Sequence, residues 1–493
     1  MLSLKYVAID SFNENVVYLH KDCEAFKVDE INKLTKLEVL GGTSPVFAFL
    51  EVVDDDAIVA PEELGLNIPA FKQLNLPEGT NVTLSLSNSP ASKTYIRKKI
   101  AGNVLSEAEY KSIIKDIVDK KYSNADITAF LVATSSFMST QEVLSLTSAM
   151  SDKNKIFWDE ENIVVDHHCL GGVPGNKTDI IITAIVAAYG LPIPKTASKS
   201  VTSCAGVVDV FAVLANVDFD ENKLRKIINE NRGAIIDYTN LKSTSASSII
   251  SSVEKSLGFT QQKHILASIL AIKLSAGVTH LVLDIPVGET SHIKSTHEAL
   301  HIRKMAEYIG DALGIEVDAV ITDGREPIGN GIGPVLEARD IMRILRNKPD
   351  APQDLMEKSL FLAGRILEFD PKLRGGQGYN VAKEILTSGR ALDALGKIIY
   401  AQGKAPQAQL GHLTREVVAT KSGIVEAIDN EQISKIGILA GASIHPGAGI
   451  DLLKKVDDNV SAGEPLYRIH ATNSGDFAFA NSVAEGNNGY KIK

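Results

Sequence analysis

The stretch from Ile163 to Asp209 constrains the fold most, because a strand pattern, a glycine-rich turn and an apolar helix pattern follow one another in it. The apolar run IVV predicts a short buried strand, the letters DHHC follow it, and LGGVPGNK predicts a turn. TDIIITAIVAAYG then predicts a buried helix. Such an arrangement lets backbone amides and a helix N-terminus approach an anion. The stretch therefore predicts α/β architecture and a candidate anion site.

A second polar turn, KTASKSVTSCAG, follows that helix and leads into another apolar helix pattern. Two turns of this kind can close on one anion from two sides. Glycine turns between strand and helix are also common structural joints, and GGVPGN matches neither a Walker loop nor a dinucleotide-binding fingerprint. The pattern alone leaves the anion site and the plain joint open.

The run His167, His168 and Cys169 also offers atoms that bind metal ions. Adjacent residues on a strand point to opposite faces of the sheet, so the three side chains are poorly placed to share one ion. We therefore predict no metal site here.

The bulk properties exclude several classes of protein. The chain has 493 residues, enough for about three domains, and its net charge of -10 argues against a nucleic-acid or anionic-membrane surface. Cys23, Cys169 and Cys204 form neither a zinc spacing nor a disulfide framework, which is typical of a reducing compartment. No apolar run approaches the roughly 18 residues of a membrane span. We expect a cytoplasmic protein with no nucleic-acid or membrane partner.

Changes of pattern along the chain predict four domains. The runs VVYLH, KLEVL, VFAFLEVV, AIVA and VTLSLS predict strands in a β-rich N-terminal domain, residues 1–90. Helical spacing predicts a helical domain over 91–157, which helices from 177–215 would join. Alternating strands and helices predict an α/β phosphate-binding domain over 158–405, and 406–493 is interpreted as an α+β C-terminal domain containing two strands around a KSG turn.

Two local patterns add candidates outside the glycine turns. STQEVLSLTSAM opens like a capping box, with Ser139 or Thr140 ahead of Glu142. Asp284 and Asp323 fall at predicted strand ends, where open α/β sheets bind ligands. Each aspartate is equally well interpreted as a loop cap.

Several of these motifs resemble one family. VVDHHCLGGVPGNK is similar to the phosphate-site motif of the thymidine phosphorylase and AMP phosphorylase family, and SKSVTSCAGVVDV resembles its S-R-A-[IV]-T-S-x-A-G-T-x-D signature. The resemblance continues through ILASILAIKLSAGVTHLVLDIPVG, TDGREPIGNGIGPVLEARD and LTREVVA. It covers most of the chain, including the extra N-terminal domain of the longer bacterial thymidine phosphorylases.

The resemblance implies a fold and a reaction. The fold is an all-α domain facing a larger α/β domain across a cleft, with a β-rich N-terminal and an α+β C-terminal domain. The reaction is phosphorolysis of an N-glycosidic bond, which gives a free base and a pentose 1-phosphate. Inorganic phosphate is the co-substrate, and no metal or organic cofactor is expected. Members are typically homodimers.

The resemblance also assigns roles to residues of this chain. His168 matches the catalytic histidine, and Asp209 matches the signature aspartate. The positions matching phosphate-binding residues are Gly171, Gly172, Ser198, Lys199, Thr202 and Ser203. Those matching base- or nucleotide-facing residues are Ser268, Lys273, His292 and Lys294.

The sequence departs from the family pattern at ligand positions. His167 stands where the family has a phosphate-binding lysine, Lys199 replaces an arginine, and Val207 replaces a phosphate-contacting threonine. Ile272 replaces the first lysine of a pair that contacts a pyrimidine, and Thr260 lies near the position of the AMP-type aspartate. Each lost charged hydrogen bond to phosphate costs about 1.5–3 kcal/mol.

These departures leave three interpretations. The first is a working nucleoside phosphorylase, by default for pyrimidines, with rebuilt contacts or, as an alternative, with a nucleoside 5′-monophosphate as substrate. The second is a paralogue that binds a nucleoside or nucleotide without turnover. The third is a scaffold protein that reuses the dimer. We predict the first, a pentosyltransferase.

Overall fold

The computed structural model consists of two compact units, Met1–Phe137 and Met138–Lys493. It describes residues 1–11, 14–25, 36–42, 44–87, 89–151, 156–158, 161–200, 203–241, 245–258, 261–373 and 375–493, with the side chain of Lys255 left out.

The first unit begins with a closed six-stranded barrel. Its strands are β1 (Leu2–Tyr6), β2 (Val16–His20), β3 (Lys36–Leu40), β4 (Val46–Val53), β5 (Glu63–Leu66) and β6 (Asn81–Leu86). They are ordered β1-β5-β2-β4-β3-β6, and β6 pairs with β1 to close the barrel. Alternate residues such as Leu37 and Val39 fill the interior, as the period of two in a strand requires. Helix α1 (Ile68–Leu74) lies between β5 and β6.

The strand prediction for the barrel was right for four runs and wrong for AIVA. Residues 56–58 form a turn and residues 59–60 are irregular; Ile58 is exposed and Val59 is buried. Val59 packs close to Gly65 of β5, so the run supplies one side chain to the core instead of a strand. Strands β1 and β5 were missed, because a short apolar run does not reveal whether it pairs with a neighbour.

Capped helices follow the barrel. The first unit contains α2 (Lys93–Ile100), α3 (Glu107–Val118) and α4 (Asn124–Ser136), and the second unit begins with α5 (Thr140–Met150). Ser106, Ser123 and Ser139 each cap the helix that follows and form a capping box with the acidic residue three positions later. The capping box predicted at Ser139 and Glu142 is therefore confirmed.

The middle of the second unit alternates strands and helices. In chain order it contains β7 (Val165–Cys169), α6 (Thr178–Tyr189), β8 (Ile193–Ala197), α7 (Val207–Ala212), α8 (Glu221–Asn231), β9 (Gly233–Asp237), α9 (Ser245–Leu257), α10 (Gln262–Ser275), β10 (His280–Val287), α11 (Thr296–Leu313), β11 (Glu316–Asp323), β12 (Gly331–Ile332), α12 (Pro334–Leu345), α13 (Gln353–Leu367), α14 (Gly378–Thr387) and α15 (Arg390–Gln402).

Parallel strands bring the loops after β7 and β8 to one place. Strands β7, β10 and β11 form a parallel sheet in the order β11-β10-β7, and β8 pairs in parallel with β9. Helix α6 joins β7 to β8, and its residues Thr178 to Ala187 are all buried. It packs against α13 and α15, whereas α5 packs against α10 and α11.

The register of β7 corrects one detail of the strand prediction. The letters DHHC do not follow the strand but form most of it, since β7 runs from Val165 to Cys169. Asp166 and His167 are fully buried, while His168 and Cys169 are partly exposed. Polar residues can occupy a buried strand here because buried charged groups of opposite sign pair with them.

The second unit ends with two small antiparallel sheets. Its remaining elements are β13 (Leu413–Val418), β14 (Gly423–Ile428), α16 (Asn430–Leu439), β15 (Gly449–Leu452), β16 (Asn459–Val460), β17 (Pro465–Ala471), α17 (Ser474–Gly486) and β18 (Tyr490–Ile492). One sheet has the order β12-β15-β17-β13 and the other β16-β14-β18. The two strands predicted around the KSG turn both exist, but they belong to different sheets.

The four predicted domain boundaries stay a prediction, since the compact units divide the chain only once, after Phe137. Among the described residues, no helix combines the length and the apolar character that a membrane span requires.

Candidate active site

A cavity of about 260 Å³ lies in the second unit, where the loops after β7 and β8 face α9 and α10. Its described walls are formed by His168, Cys169, Leu170, Gly171, Gly172, Val173, Asn176, Lys177, Asp179, Lys195, Ala197, Ser198, Lys199, Ser200, Ser203, Ala205, Gly206, Val207, Tyr238, Ser251, Glu254, Ile265, Ser268, Ile269, Ile272 and His292. Both predicted polar turns thus contribute to one cavity.

The glycine turn after β7 is closely packed against His292. Gly171 and Gly172 both have positive φ, 88° and 83°, which favours glycine. A Cβ atom on Gly172 would overlap the backbone nitrogen of His292, so glycine is also required sterically. The ring of His292 lies 3.1 Å from the carbonyl oxygen of Leu170 through Nδ1. His292 therefore covers the turn.

Cys169 also supports this turn. Its Sγ accepts hydrogen bonds from the backbone nitrogen of Gly171 at 3.3 Å and from Nδ2 of Asn176 at 3.1 Å. Burial and the nearby Asp284 carboxylate raise the pKa of the thiol well above its ordinary value. Cys169 is therefore a protonated packing residue rather than a nucleophile.

Asp209 organises the second turn. Its Oδ2 accepts hydrogen bonds from the backbone nitrogens of Ser200, at 2.7 Å, and Gly206, at 2.8 Å. The hydroxyl of Ser200 in turn accepts from the backbone nitrogen of Ser203 at 3.1 Å. The carboxylate thereby connects the middle of the turn to its end, while Ser198 and Lys199 line the cavity.

His168 enters the cavity from the C-terminal half of β7. Burial lowers the pKa of its imidazole well below 6.5, and the ammonium groups of Lys273 and Lys195 lower it further. The ring is therefore neutral near pH 7. Its Nδ1 is buried and has no hydrogen-bond partner among the described residues. A neutral imidazole has one nitrogen that donates and one that accepts, so a ring that lines the cavity can offer either to a ligand.

A buried cluster of charged groups lies next to His168. Asp179, at the start of α6, is 2.6 Å from Nδ1 of His167 and 2.7 Å from Nζ of Lys195. Burial alone would raise the pKa of Asp179, but Lys195 and His167 hold it well below its ordinary value. The His167 side chain is thus directed to Asp179. Lys195, however, also lines the cavity.

A second ion pair of this cluster explains the position of Lys273. Its Nζ is 2.5 Å from Oδ2 of Asp166 and 2.8 Å from Oγ1 of Thr196. Burial and the proximity of Lys195 lower the pKa of Lys273 to about 8, against the effect of Asp166. Lys273 is fully buried and does not appear in the described cavity wall.

Three lysines place positive charge at the cavity. Lys199 is exposed, whereas Lys177 and Lys195 are buried. Lys177 lies 3.0 Å from Glu337, whose carboxylate raises the pKa of the lysine despite its burial. Lys177, at the start of α6, and Lys195, in β8, are thus cations of the cavity wall that the sequence did not single out.

The structure brings together most of the predicted site residues. The cavity wall includes His168, Gly171, Gly172, Ser198, Lys199, Ser203, Ser268 and His292. Thr202 and Thr260 lie outside the described residues. Lys273 is paired with Asp166, and Lys294 is exposed. Neither belongs to the described wall, so their base-facing roles stay predictions.

The two aspartates predicted at strand ends have structural partners. Asp284 lies within β10, fully buried, 2.9 Å from Nζ of Lys358. Asp323 ends β11, is exposed and pairs with Arg325 at 2.7 Å. Asp323 thus lies at a strand end, and its Oδ1 accepts a hydrogen bond from the backbone nitrogen of Arg325, as in the loop-cap alternative. Asp284 lies inside its strand, so it is neither at a strand end nor a loop cap.

Sequence reasoning missed Lys177, Lys195, Asp179 and Glu254 as cavity residues. A signal was present for Lys195, because a lysine inside the apolar pattern LPIPKTA must find a buried partner if that run is a strand. Among the described residues, no group of three or more His, Cys, Asp or Glu side chains is placed to hold a metal ion.

Family models match three parts of the chain. Residues 93–153 match the helical bundle domain of a glycosyl transferase family, residues 161–392 match the a/b domain of that family, and residues 424–493 match a pyrimidine nucleoside phosphorylase C-terminal domain. A solved anthranilate phosphoribosyltransferase from Thermus thermophilus has a similar fold, with a TM-score of 0.52 and 18% identity over 62% of this chain and 98% of its own. Fold and site thus define a pentosyltransferase, and the predicted fold class is confirmed.

Relatives that match over the whole chain identify its family more narrowly than the domain models do. A protein of Methylococcus capsulatus named "Putative thymidine phosphorylase" is 45% identical over all of this chain and 96% of its own length. A protein of the same name from Rhodopseudomonas palustris is 43% identical over the same shares. The chain belongs to the thymidine phosphorylase family.

Proposed function

We propose that this protein catalyses phosphorolysis of a pyrimidine nucleoside, releasing the free base and a pentose 1-phosphate. The observation that carries the proposal is the convergence of His168, both polar turns and three lysines on one cavity. The names of the two relatives favour the same activity.

The turns and lysines would bind phosphate. Backbone amides of the glycine turn and of the second turn can donate to phosphate oxygens, and Lys195, Lys177 and Lys199 supply opposite charge. A bound phosphate oxygen then attacks the anomeric carbon as the glycosidic bond breaks. The bonding electrons leave with the base.

His168 would stabilise the departing base. Negative charge develops on that base as the bond breaks, and a hydrogen-bond donor placed there lowers the barrier. Because its pKa is low, His168 acts as a neutral N–H donor rather than as an imidazolium acid. The neighbouring lysines that keep it neutral also add positive potential to the site.

The test is base release from uridine, thymidine, cytidine and the corresponding 5′-monophosphates, each with and without phosphate. We expect release from a pyrimidine nucleoside only when phosphate is present. Release from a 5′-monophosphate alone would establish the nucleotide alternative. Absence of phosphate-dependent release from every compound would overturn the proposal and favour a binding paralogue.

Three further expectations accompany this proposal. Turnover should persist after treatment with a chelator, because no metal or organic cofactor is expected. Light scattering should show the homodimer that the resemblance implies. A monomer with full activity would contradict the second expectation without affecting the proposed reaction. Cell fractionation would test the expected cytoplasmic location.

A further inference from the structure

One wall of the cavity differs in polarity from the side formed by the two turns. It is formed by one face of α10, where Ile265, Ser268, Ile269 and Ile272 recur at the three- and four-residue spacing of a helix face. Three isoleucines and one serine make a mostly apolar surface that suits the plane of a heterocyclic ring.

Glu254 of α9 adds a carboxylate to this wall. It lines the cavity although its exposed fraction is only 5%. Its Oε1 lies 3.1 Å from Nδ1 of His264, which is also buried. Among the described residues, His264 is the hydrogen-bond partner that the structure gives to this carboxylate. An ionised carboxylate has about four lone-pair sites, so it keeps acceptor capacity for a ligand.

The hydrogen-bond polarity of Glu254 is fixed, unlike that of its neighbours. The hydroxyl groups of Ser251, Ser268 and Tyr238 can each donate or accept, whereas an ionised carboxylate only accepts. The described side chains of α9 and α10 that line the cavity include no lysine or arginine. Ile272 stands where the family resemblance implies a lysine. A ligand on this wall must therefore present a donor to Glu254.

The distance between His264 and Ser268 along α10 corresponds to the size of one heterocyclic ring. His264, which holds Glu254, precedes Ser268 by four residues, which corresponds to about 6 Å along the helix axis. A base that contacts Ser268 and lies against Ile265 can therefore reach Glu254 with its far edge.

We propose that Glu254 accepts a hydrogen bond from an N–H group of the substrate base, either a ring N–H or an exocyclic amino group, and thereby selects the base. The proposal rests on the proposed phosphorolysis and names a specificity residue for it. A base whose facing edge carries only carbonyl acceptors leaves the carboxylate desolvated and unpaired, which disfavours it.

Methylated nucleosides test this contact without altering the protein. Uridine is compared with 3-methyluridine, and cytidine with N4,N4-dimethylcytidine. We expect methylation of one of these groups to lower kcat/KM by about 10- to 100-fold, the loss that corresponds to one charged hydrogen bond. The first pair reports a ring N–H and the second an amino group. Equal kcat/KM within both pairs would overturn the proposal.

Variants of Glu254 assign the discrimination to the carboxylate. Glu254→Met removes the acceptors at similar length and should abolish the preference, while Glu254→Gln keeps one acceptor oxygen and should retain part of it. The KM for phosphate should stay unchanged in both variants, because the two turns are distant in sequence and built from other elements. Glu307→Gln, at a partly exposed glutamate of α11 that pairs with Arg303, is the matched control. Full discrimination in Glu254→Met would contradict the proposal.

Binding of free bases separates this proposal from the proposed function. If no nucleoside is turned over, calorimetry with uracil, 3-methyluracil, cytosine and N4,N4-dimethylcytosine still measures recognition by the wild-type protein. Weaker binding of a methylated base in the wild type, but not in Glu254→Met, would support the role of Glu254 in a non-catalytic protein. No binding of any base, or equal binding of methylated bases, would overturn it.

Discussion

The chemistry of His168 depends on its surroundings more than on its residue type. An exposed histidine is partly protonated near neutral pH. His168 instead has a pKa well below 6.5, because it is desolvated and close to Lys273 and Lys195. In the proposed reaction, the same lysines would supply positive potential to a phosphate and to a departing base anion.

Removal of the imidazole should slow the chemical step. We expect His168→Ala to lower kcat for the best nucleoside by about 100-fold or more, in the range of acid–base groups that act on a transition state. The KM for phosphate should change little, because the turns and lysines remain. Steady-state kinetics measures both values. His168→Asn, which keeps an N–H donor, is the matched variant and should retain more activity. Unchanged kcat in His168→Ala would exclude the proposed role.

His168 should also contribute to the pH dependence of stability. Its folded pKa is lowered, so the unfolded chain binds more protons below the unfolded value of about 6.5. The free energy of unfolding therefore falls as pH decreases below 6.5, by at most about 1.4 kcal/mol per pH unit for one group. We expect His168→Ala to show a shallower decrease than the wild type between pH 6.5 and 5 in urea titrations. Parallel curves would contradict the depressed pKa.

At the scale of elements, one cluster of buried charges connects three pieces of the site. His167 of β7, Asp179 of α6 and Lys195 of β8 meet within 2.6–2.7 Å. β7 leads into the glycine turn and β8 into the second turn. The cluster therefore fixes the strand ends from which both turns start. Such a cluster is costly to break, since removal of one partner leaves an uncompensated buried charge.

Loss of the central carboxylate should destabilise the protein. We expect Asp179→Asn to lower the free energy of unfolding by about 3–5 kcal/mol, because Lys195 and His167 lose their shared partner. Urea denaturation at pH 7 measures the change. Asp323→Asn, which breaks an exposed pair with Arg325, is the control and should cost about 1 kcal/mol or less. Equal effects of the two variants would show that the buried cluster contributes no special stability.

At the scale of the whole second unit, the C-terminal part supports the second turn. Sγ of Cys204 donates to the carbonyl oxygen of Ser434 at 3.1 Å and lies directly beside Gly437 of α16. Arg339 also pairs with both carboxylate oxygens of Asp451, at 2.7 and 2.8 Å. Cys204 follows Ser203, a residue of the cavity wall. A shift of α16 would therefore change the shape of the cavity, although no residue of α16 belongs to the described cavity wall.

Adding a single methyl group to α16 should weaken phosphate binding at the proposed site. In Gly437→Ala the new Cβ would overlap Sγ of Cys204, so we expect the second turn to shift and the KM for phosphate to rise several-fold. Cys204→Ala in the same chain makes room and should restore most of the affinity. Gly396→Ala, a helical glycine whose Cβ would meet no atom within 4 Å, is the control. An unchanged KM in Gly437→Ala would show that α16 and the turn are not coupled.

Particular residues show which features of the structure could be predicted from sequence patterns. The helix of 178–189, the capping box at Ser139 and the two polar turns follow from local periodicity and residue chemistry, so they could be predicted. The directions of His167 and Lys273 could not, because each depends on partners distant in the chain. Lys273 was predicted to face the base, yet Asp166, 107 residues earlier, holds it in the interior.

The sequence by itself determined the alternation of strands and helices, the glycines of the turn after β7 and the family to which the motifs point. These are properties of short segments, for which backbone conformation and apolar periodicity are local. Only the tertiary structure decided which charges face the cavity, because a buried ion pair forms between residues that the fold brings together. Lys195, Lys177 and Glu254 belong to the cavity for that reason.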